Sequence, residues 1–272
     1  SWGPAKQVIA LEAGEGTFAT LGYPLTAPQL LPVREALKRA RTVLLYRLAD
    51  GTEATGSDGA NLTITAKFGG VRGNDIKVVI STNVDDPDKF DVQTLVDGAE
   101  VDYQDAVEKV EDLRDNDWVT WSGSGPLTAS AGIPLTGGAD GAVTAQDYLD
   151  YLEAIEVHDF HTIGLMSTDP TTKGVFTAFA KRMREDEGKK IQVVMENYPT
   201  ADYEGVISVK NGVVLADGTT LTAAQAVAWV AGATAGAAAN QSLTYDAYDG
   251  AVDASPRYTN SQIIAALQNG EF

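Results

Sequence analysis

The sequence predicts a mixed α/β protein, in which a mixed sheet flanked by helices carries an inserted, mostly-β domain. Short strand-like segments fill residues 51–140, whereas strand-length apolar runs alternate with amphipathic helices after residue 141. Turn-rich joints at Asp50–Gly59 and Gly132–Gly141 separate the two patterns. We therefore predict a discontinuous α/β core domain made of residues 1–50 and 141–272, with residues 51–140 inserted into it.

The first segment predicts one helix followed by one strand. The helix has apolar residues on one side and cations near its C-terminal end, where they complement the helix dipole. The apolar positions are Leu30, Leu31, Val33, Ala36, Leu37 and Ala40, and the cations are Arg34, Lys38, Arg39 and Arg41. Thr42–Leu48 is a continuous apolar run, typical of a strand covered on both faces. We expect this strand to join the sheet of the core domain.

The inserted segment predicts short strands joined by turns. The predicted strands are Leu62–Lys67, Ile76–Ser81, Phe90–Val96, Ala99–Tyr103 and Trp118–Trp121. Asp97-Gly98 has the composition of a two-residue hairpin turn. Acidic residues around Ala106–Leu113 predict one short helix. The segment is therefore expected to be an antiparallel β structure with a single helical turn.

Residues after Gly141 predict helices that alternate with strands. Thr144 and Asp147 indicate a helix start, and Asp169-Pro170 indicates a second one. The expected apolar faces are Leu149, Leu152 and Ile155 in the first helix and Phe176, Phe179, Ala180 and Met183 in the second, which ends at Gly188. Thr162–Met166 and Ile191–Glu196 are the strands between and after them. This order is typical of parallel crossover connections.

The last part of the chain predicts another strand and an alanine-rich helix. Val206–Lys210 is the strand, and Asn211-Gly212 predicts a hairpin with the segment that follows it. Thr222 is the expected start of a helix that runs to Ala239. Its small side chains allow a close backbone approach, either in the core or between subunits.

Composition excludes several classes of function. The chain has 38 acidic and 20 basic residues and a formal net charge of −18, which disfavours binding to nucleic acid. It has no cysteine, so thiolate metal sites and cysteine nucleophiles are excluded. The long uncharged stretch Gly218–Tyr245 is alanine-rich and interrupted by polar residues, so we expect no membrane span there.

Motifs for catalysis or cofactor binding are also missing. His158 and His161 flank Asp159 but lack further ligands at metal spacing. The acidic cluster Asp85, Asp86, Asp88 and Asp91 lacks the glycine and glutamate of a calcium loop. Gly69–Asp75 is glycine-rich without the ending of a phosphate loop, and Ser122–Gly125 is not a nucleophile elbow. We assign no catalytic, cofactor-binding or metal-binding residue, and expect that the protein is not an enzyme.

Several stretches, in the expected order, resemble contractile bacteriophage tail sheath proteins. They are Leu37–Arg47, Phe68–Ile80 with its central GxRGNDI, Leu135–Gly141, Ala201–Asn211, Trp229–Ala237, Ser242–Tyr245, and Gly250–Asp253 leading to Ala265–Phe272. The resemblance implies a structural subunit that polymerises as stacked hexameric rings around an inner tail tube and contracts. It also implies the tube, baseplate and tail terminator proteins as partners, and a place in a virion assembled in the bacterial cytoplasm.

Two further expectations accompany the resemblance. Sheath proteins usually extend beyond both ends of this chain, and their terminal arms add strands to neighbouring subunits, so we expect this segment alone to remain a monomer. The basic first segment beside two acidic ones offers charge complementarity between copies. The alternative function is a carbohydrate-binding or surface-binding module of a phage particle, suggested by Trp118 and Trp121, although such rings are more often part of a core.

Overall fold

The computed structural model describes residues 1–269 and contains both helices and β-sheets, which confirms the predicted α/β class. The first fifty residues form β1 (Val8–Glu12), α1 (Phe18–Leu21), α2 (Leu31–Leu37) and β2 (Thr42–Tyr46). The predicted helix is confirmed as α2. The predicted strand is present as β2, but the prediction that both of its faces are covered within the core sheet was wrong. Strand β2 is only half-buried and pairs with β1 in a two-stranded sheet. The short run VIALE of β1 shows no two-residue alternation, so the sequence pattern did not reveal this partner.

The middle of the chain is antiparallel β structure, as predicted. Its strands are β3 (Thr55–Ser57), β4 (Leu62–Ala66), β5 (Ile76–Thr82), β6 (Phe90–Val96), β7 (Ala99–Val107), β8 (Val119–Gly123) and β9 (Ser130–Pro134). They form a sheet in the order β3-β4-β8 and another in the order β7-β6-β5-β9. Asp97 and Gly98 both have positive φ, which confirms the hairpin turn.

Two local predictions in this region were wrong. No helix spans Ala106–Leu113, because β7 continues to Val107 and only a 3-10 turn follows at Val110–Asp112. Val107 and Val110 are both buried in the core, and their burial fixes the extended path. The joint predicted at Gly132–Gly141 starts too early, because Ser130–Pro134 forms β9 and pairs with β5.

The remaining residues alternate helices with strands. In order they are α3 (Ala145–Glu156), β10 (Thr162–Leu165), α4 (Pro170–Glu185), β11 (Gln192–Glu196), β12 (Val206–Val209), β13 (Gly212–Leu215), β14 (Thr220–Leu221), α5 (Ala223–Gly236), β15 (Ala251–Ser255) and α6 (Asn260–Gln268). Strands β10, β11 and β12 form a parallel sheet, in agreement with the predicted crossovers. The helix starts predicted at Asp169-Pro170 and Thr222 are confirmed, and the Asp169 and Thr222 side-chain oxygens cap the helices by accepting from the Thr172 and Gln225 N–H groups.

Three predictions in this part need correction. The hairpin at Asn211-Gly212 is wrong, because β12 lies parallel to β11 while β13 pairs with β14 and β15. Gly212 lies against the Leu221 carbonyl, so it serves strand pairing rather than a turn. The alanine-rich helix ends at Gly236, three residues before Ala239. In α3, Leu152 and Ile155 are buried as expected, but Leu149 is 46% exposed.

The chain divides into two compact units. The first unit contains Ser1–Ile9, Gly16–Pro24 and Leu45–Ile155, and the second contains Ala10–Glu15, Leu25–Leu44 and the chain from Glu156 onward. The core of the first unit combines the inner faces of both antiparallel sheets with aromatic rings from several segments. Trp2 stacks on Trp118 with 4.9 Å between ring centroids, and Phe18 and Phe68 surround this pair. The first residues of the chain are therefore part of this core.

The second unit has buried phenylalanines on α4 and a separate cluster of small and aliphatic side chains, which consists of Val194, Val209, Ala226, Val227 and Ala231. The stripe Phe176, Phe179, Ala180 and Met183 of α4 is buried, as predicted. Helix α5 packs on α2 without intervening side chains, because a Cβ added at Gly232 would lie 2.3 Å from the Ala36 carbonyl oxygen. One at Gly236 would lie 2.4 Å from the Arg39 carbonyl oxygen. The close approach expected for the alanine-rich helix is thus a contact within this unit.

Candidate functional site

The two histidines do not form a metal site. His161 is exposed, His158 is half-buried, and Asp159 is exposed. Across residues 1–269, no group of three or more histidine, aspartate or glutamate side chains is arranged to hold a metal ion. None of the helices described there is both long and apolar enough to cross a membrane.

The acidic cluster is the tip of the β5–β6 hairpin, organised by Asn83. The Asn83 side-chain oxygen accepts from the N–H groups of Asp85 and Asp86, and its amide nitrogen donates to Asp91 at 2.7 Å and to Asp105 at 3.0 Å. The hydrogen bond from Asn83 is the main cause that lowers the pKa of Asp91. An amide group therefore occupies the space between these two carboxylates, where a calcium site would need the cation.

The glycine-rich loop Gly69–Asp75 is organised around a buried arginine. Arg72 is 3% exposed and donates to the Gly22 carbonyl oxygen, to Asp75 and, through two nitrogens, to Asp97. Its guanidinium also lies 4.5 Å from the centre of the Tyr23 ring. Arg72 thus ties the segment around Gly22 to the β5–β6–β7 sheet, and the loop serves structure within the first unit.

The remaining candidates are Trp118, which precedes strand β8, and Trp121 and Ser122, which lie within it. Trp118 is 3% exposed and stacked on Trp2, so its ring is not available as a sugar platform. Trp121 is partly buried, and its indole N–H donates to the Arg114 carbonyl oxygen at 2.9 Å. Ser122 Oγ donates to the Thr63 carbonyl oxygen across the β4–β8 pair. These contacts place the tryptophans and the serine in the framework of the sheet.

A polar network that the sequence did not predict connects the residues just after α2 to the segment before β15. Arg39 Nε donates to Asp249 at 2.5 Å, and its terminal nitrogens reach Asp246 and Asp249. The Trp229 indole N–H donates to the same Asp249 carboxylate at 3.0 Å. The hydrogen bond from Arg39 is the main cause that lowers the pKa of Asp249. Residues 210 apart in sequence are thereby fixed together.

A fully buried carboxylate completes this network. Glu35 accepts hydrogen bonds at 2.7 Å from Lys38 and from the Tyr248 hydroxyl. Burial, and next the bond to Glu35, raise the pKa of Tyr248 well above its usual range. The Tyr248 ring stacks on Trp229 with 4.5 Å between centroids. Ion pairs, hydrogen bonds and aromatic stacking therefore hold the segment that contains Tyr248 and Asp249 against Glu35, Arg39 and Trp229.

This network changes the interpretation of the basic first segment. Arg34 donates to the Thr26 carbonyl oxygen, while Lys38 and Arg39 are bound to Glu35, Asp246 and Asp249 of the same chain. Lys38 and Arg39, which follow α2, are thus paired with carboxylates of the same chain. They are poor candidates for charge pairing between copies, because their charges are already engaged within the chain.

Comparison with protein families gives a match along the whole chain. Residues 1–48 match the tail sheath protein Gp18 domain III N-terminal region. Residues 49–140 match the phage tail sheath protein beta-sandwich domain, and residues 141–272 match the phage tail sheath protein central domain. The three matches follow one another without a gap.

The chain is also similar to individual sheath proteins and to a protein of a phage-like element. A crystal structure of the sheath tail protein from Desulfitobacterium hafniense superposes on the whole chain with a TM-score of 0.96 and 65% identity, and that from Listeria innocua with 0.88 and 44%. The phage-like element PBSX protein XkdK of Bacillus subtilis is 44% identical over 291 aligned residues. The chain covers 65%, 62% and 62% of these proteins, respectively, so each of them is longer than the segment described here.

Proposed function

The chain belongs to the phage tail sheath protein family, and from that premise we propose that it is a non-enzymatic subunit of a contractile tail sheath, in a phage or a related phage-like particle. Copies polymerise as stacked hexameric rings around an inner tail tube and contract to drive the tube through the host envelope. The family is structural, and its members assemble into the sheath of a phage particle. The rings, the contraction and the direction of movement are parts of the proposal.

The single observation that carries the proposal is the uninterrupted order of three sheath domains along the whole chain. The arrangement of the polar residues is consistent with a structural role, because Arg39, Arg72 and Asn83 all bind groups of their own unit. A subunit of a helical assembly has to keep its shape while its contacts with other copies repeat, and contacts that do not close on themselves generate a helix.

The proposed partners follow from a sheath role. They are other copies of the same chain, the inner tube protein, and the baseplate and tail terminator proteins at the two ends. Neither nucleic acid nor membrane is among them. We propose that assembly takes place in the host cytoplasm and that the product is part of the virion.

Light scattering compares the oligomeric state of residues 1–272 with that of the full-length gene product. We expect residues 1–272 to be a monomer at ordinary concentration, because like-charged copies repel and donated terminal strands provide much of the association energy. The full-length gene product should form large assemblies, and a salt series should leave this difference in place. Large polymers from residues 1–272 alone would show that the assembly surface has been misplaced.

We also propose that residues 51–140 are an inserted domain with residues 1–50 and 141–272 around it. The support is that its ends meet, because a Cβ added at Gly141 would lie 1.5 Å from the Asp50 carbonyl oxygen. Replacing residues 51–140 by a short Gly/Ser linker should leave a folded α/β remainder. Trp2 and Phe18 are changed to Ser in the same variant, because the deletion removes their cover. Loss of a cooperative thermal transition in this variant would contradict the proposed division.

A further inference from the structure

The segment between α5 and β15, residues 237–249, has neither helix nor strand and is called here the strap. None of its residues, all of which the structure describes, is buried. Tyr245 is fully exposed and has a φ of 64°, in the left-handed region that side chains other than glycine rarely adopt. The strap therefore buries little apolar area that would hold it in place.

Hydrogen bonds in the first part of the strap are local. The Ala238 N–H donates to the Gln241 side-chain oxygen, and the Gln241 N–H donates back to the Ala238 carbonyl oxygen. Further along, the Asp246 N–H donates to the Leu243 carbonyl oxygen at 3.0 Å. Among the described hydrogen bonds of residues 238–245, every one has both partners inside the strap. These bonds shape the strap but do not tie it to the rest of the second unit.

A single guanidinium holds two points of the strap. Arg39 donates through Nε and one terminal nitrogen to Asp249, and through the other terminal nitrogen to Asp246. These three side chains are 26–38% exposed, so dissolved ions reach the pairs. Ion pairs with such access to solvent are weakened by screening at high ionic strength. The attachment of the strap to Arg39 is therefore sensitive to salt.

The end of the strap covers two residues of the same unit. The Tyr248 ring stacks on Trp229, and the Tyr248 hydroxyl donates to Glu35. Trp229 is 7% exposed and Glu35 is fully buried. The Trp229 indole N–H also donates to Asp249, which connects this cover to the ion pairs of Arg39. Lifting the strap would thus make an aromatic ring and a carboxylate accessible together.

We propose that the strap is a salt-sensitive latch, which opens locally when Arg39 releases Asp246 and Asp249 and thereby uncovers Trp229 and Glu35. Segments that bury little apolar area and are held by solvent-exposed polar contacts open at the lowest free energy. The rest of the second unit stays folded, because its buried phenylalanines and its aliphatic cluster are formed by residues outside the strap. The latch is a property of one subunit and does not depend on the proposed function.

Proteolysis under native conditions tests the latch. Chymotrypsin cleaves after large apolar residues such as Leu243 and Tyr245, but it needs an extended stretch of chain and therefore acts on the open strap. Arg39→Met removes the guanidinium and keeps an unbranched side chain. It should increase the rate of cleavage within the strap about tenfold, because charge-assisted hydrogen bonds to two carboxylates are lost. Mass spectrometry of the fragments assigns the cut to the strap.

Arg182→Met is the matched control in the same unit. Arg182 also uses two nitrogens on one carboxylate, that of Glu156, and its side chain is 44% exposed. Both residues lie in helices outside the strap. We expect cleavage of the strap at the wild-type rate in this variant. Equal acceleration by both arginine substitutions would overturn the latch, because it would reflect a general loss of stability.

Salt and urea series on the wild-type protein give a second decision, which stands even if Arg39→Met does not fold. Raising NaCl from about 0.1 M to about 1 M shortens the Debye length from about 10 Å to about 3 Å and should speed cleavage of the strap about threefold. A short peptide substrate corrects for changes in protease activity. Low urea concentrations should change the rate little, because a local opening exposes little surface.

Two results of these series would overturn the latch. One is a cleavage rate that does not respond to salt, and the other is a rate that depends on urea as steeply as global unfolding does. Neither result bears on sheath assembly, which electron microscopy of the full-length gene product decides separately.

Discussion

The two units of this protein achieve close packing in opposite ways. In the first unit, the rings of Trp2 and Trp118 stack at 4.9 Å and large side chains fill the space between two antiparallel sheets. In the second unit, α2 and α5 touch through their backbones because Gly232 and Gly236 have no side chains. The aromatic core of the first unit is stabilised by the apolar area that it buries. The contact between α2 and α5 is stabilised by close backbone packing, which only residues without a side chain allow. The aromatic core should therefore be sensitive to substitutions that remove atoms, and the contact between α2 and α5 to substitutions that add them.

The largest effect is expected from Trp118→Ala. The ring is 3% exposed and contacts both Trp2 and Phe18, so its removal leaves a cavity in the aromatic core. The free energy of unfolding should fall by about 3–5 kcal/mol. Chemical denaturation followed by circular dichroism measures this loss, and Trp121→Ala, at a partly buried ring, is the control that should cost less. Equal losses at both tryptophans would refute the aromatic-core account of the first unit.

The next effect concerns adding a single methyl group in the second unit. Gly232→Ala would place a Cβ 2.3 Å from the Ala36 carbonyl oxygen, so α2 and α5 must move apart. We expect a destabilisation of about 1–3 kcal/mol, typical of overpacking. Thermal unfolding of the purified variant provides the comparison with the wild type.

Gly174 provides the matched control for that substitution, with a smaller effect of opposite sign. It lies within α4, and an added Cβ would meet only the Tyr198 hydroxyl, at 3.9 Å. Alanine is a better helix former than glycine, so Gly174→Ala should stabilise the protein by roughly 0.5–1 kcal/mol. If both glycine substitutions shift the thermal midpoint in the same direction, close backbone contact is not what distinguishes α5.

A pH-dependent contact in the first unit gives the smallest expected effect. Lys6 lies 2.9 Å from Asp147, and its hydrogen bond is the main reason why the pKa of Asp147 is lowered to about 2. The unfolded value is about 3.9, so the contact stabilises the folded state above pH 4 and this contribution is lost as pH falls toward 2. Thermal midpoints between pH 7 and pH 2.5 should decline less steeply for Asp147→Asn than for the wild type. Parallel profiles would exclude this contact as a source of the acid sensitivity.

Sequence patterns were informative where one segment determines its own structure. The apolar stripe of α4, the caps at Asp169 and Thr222 and the turn at Asp97-Gly98 all depend on residues within one or two turns of each other. The position of β2 was not predictable in this way, because its partner β1 has no periodic pattern. The prediction of a short helix at Ala106–Leu113 was wrong, because the burial of Val107 and Val110 outweighs the helical preference of the local composition.

The polar networks were beyond prediction for a related reason. Glu35 and Tyr248 are 213 residues apart, and a single acidic residue on an amphipathic helix gives no sign of being fully buried. Arg72 belongs to the stretch GxRGNDI, which resembles sheath proteins, but its bonds to Gly22 and Asp97 depend on tertiary structure. The sequence therefore indicated which segments resemble the family, but not which hydrogen bonds and ion pairs hold these segments together. The last stretch of the resemblance, Ala265–Phe272, ends in residues 270–272, which lie outside the described part of the chain.

Negative-stain electron microscopy of the full-length gene product shows whether the protein forms a sheath. We expect hollow, striated tubes built from stacked six-membered rings, with a lumen that accepts an inner tube, because copies of a sheath subunit repeat non-closing contacts along an axis. Only isolated particles of monomer size over a range of protein and salt concentrations, or polymers without sixfold rings, would contradict it.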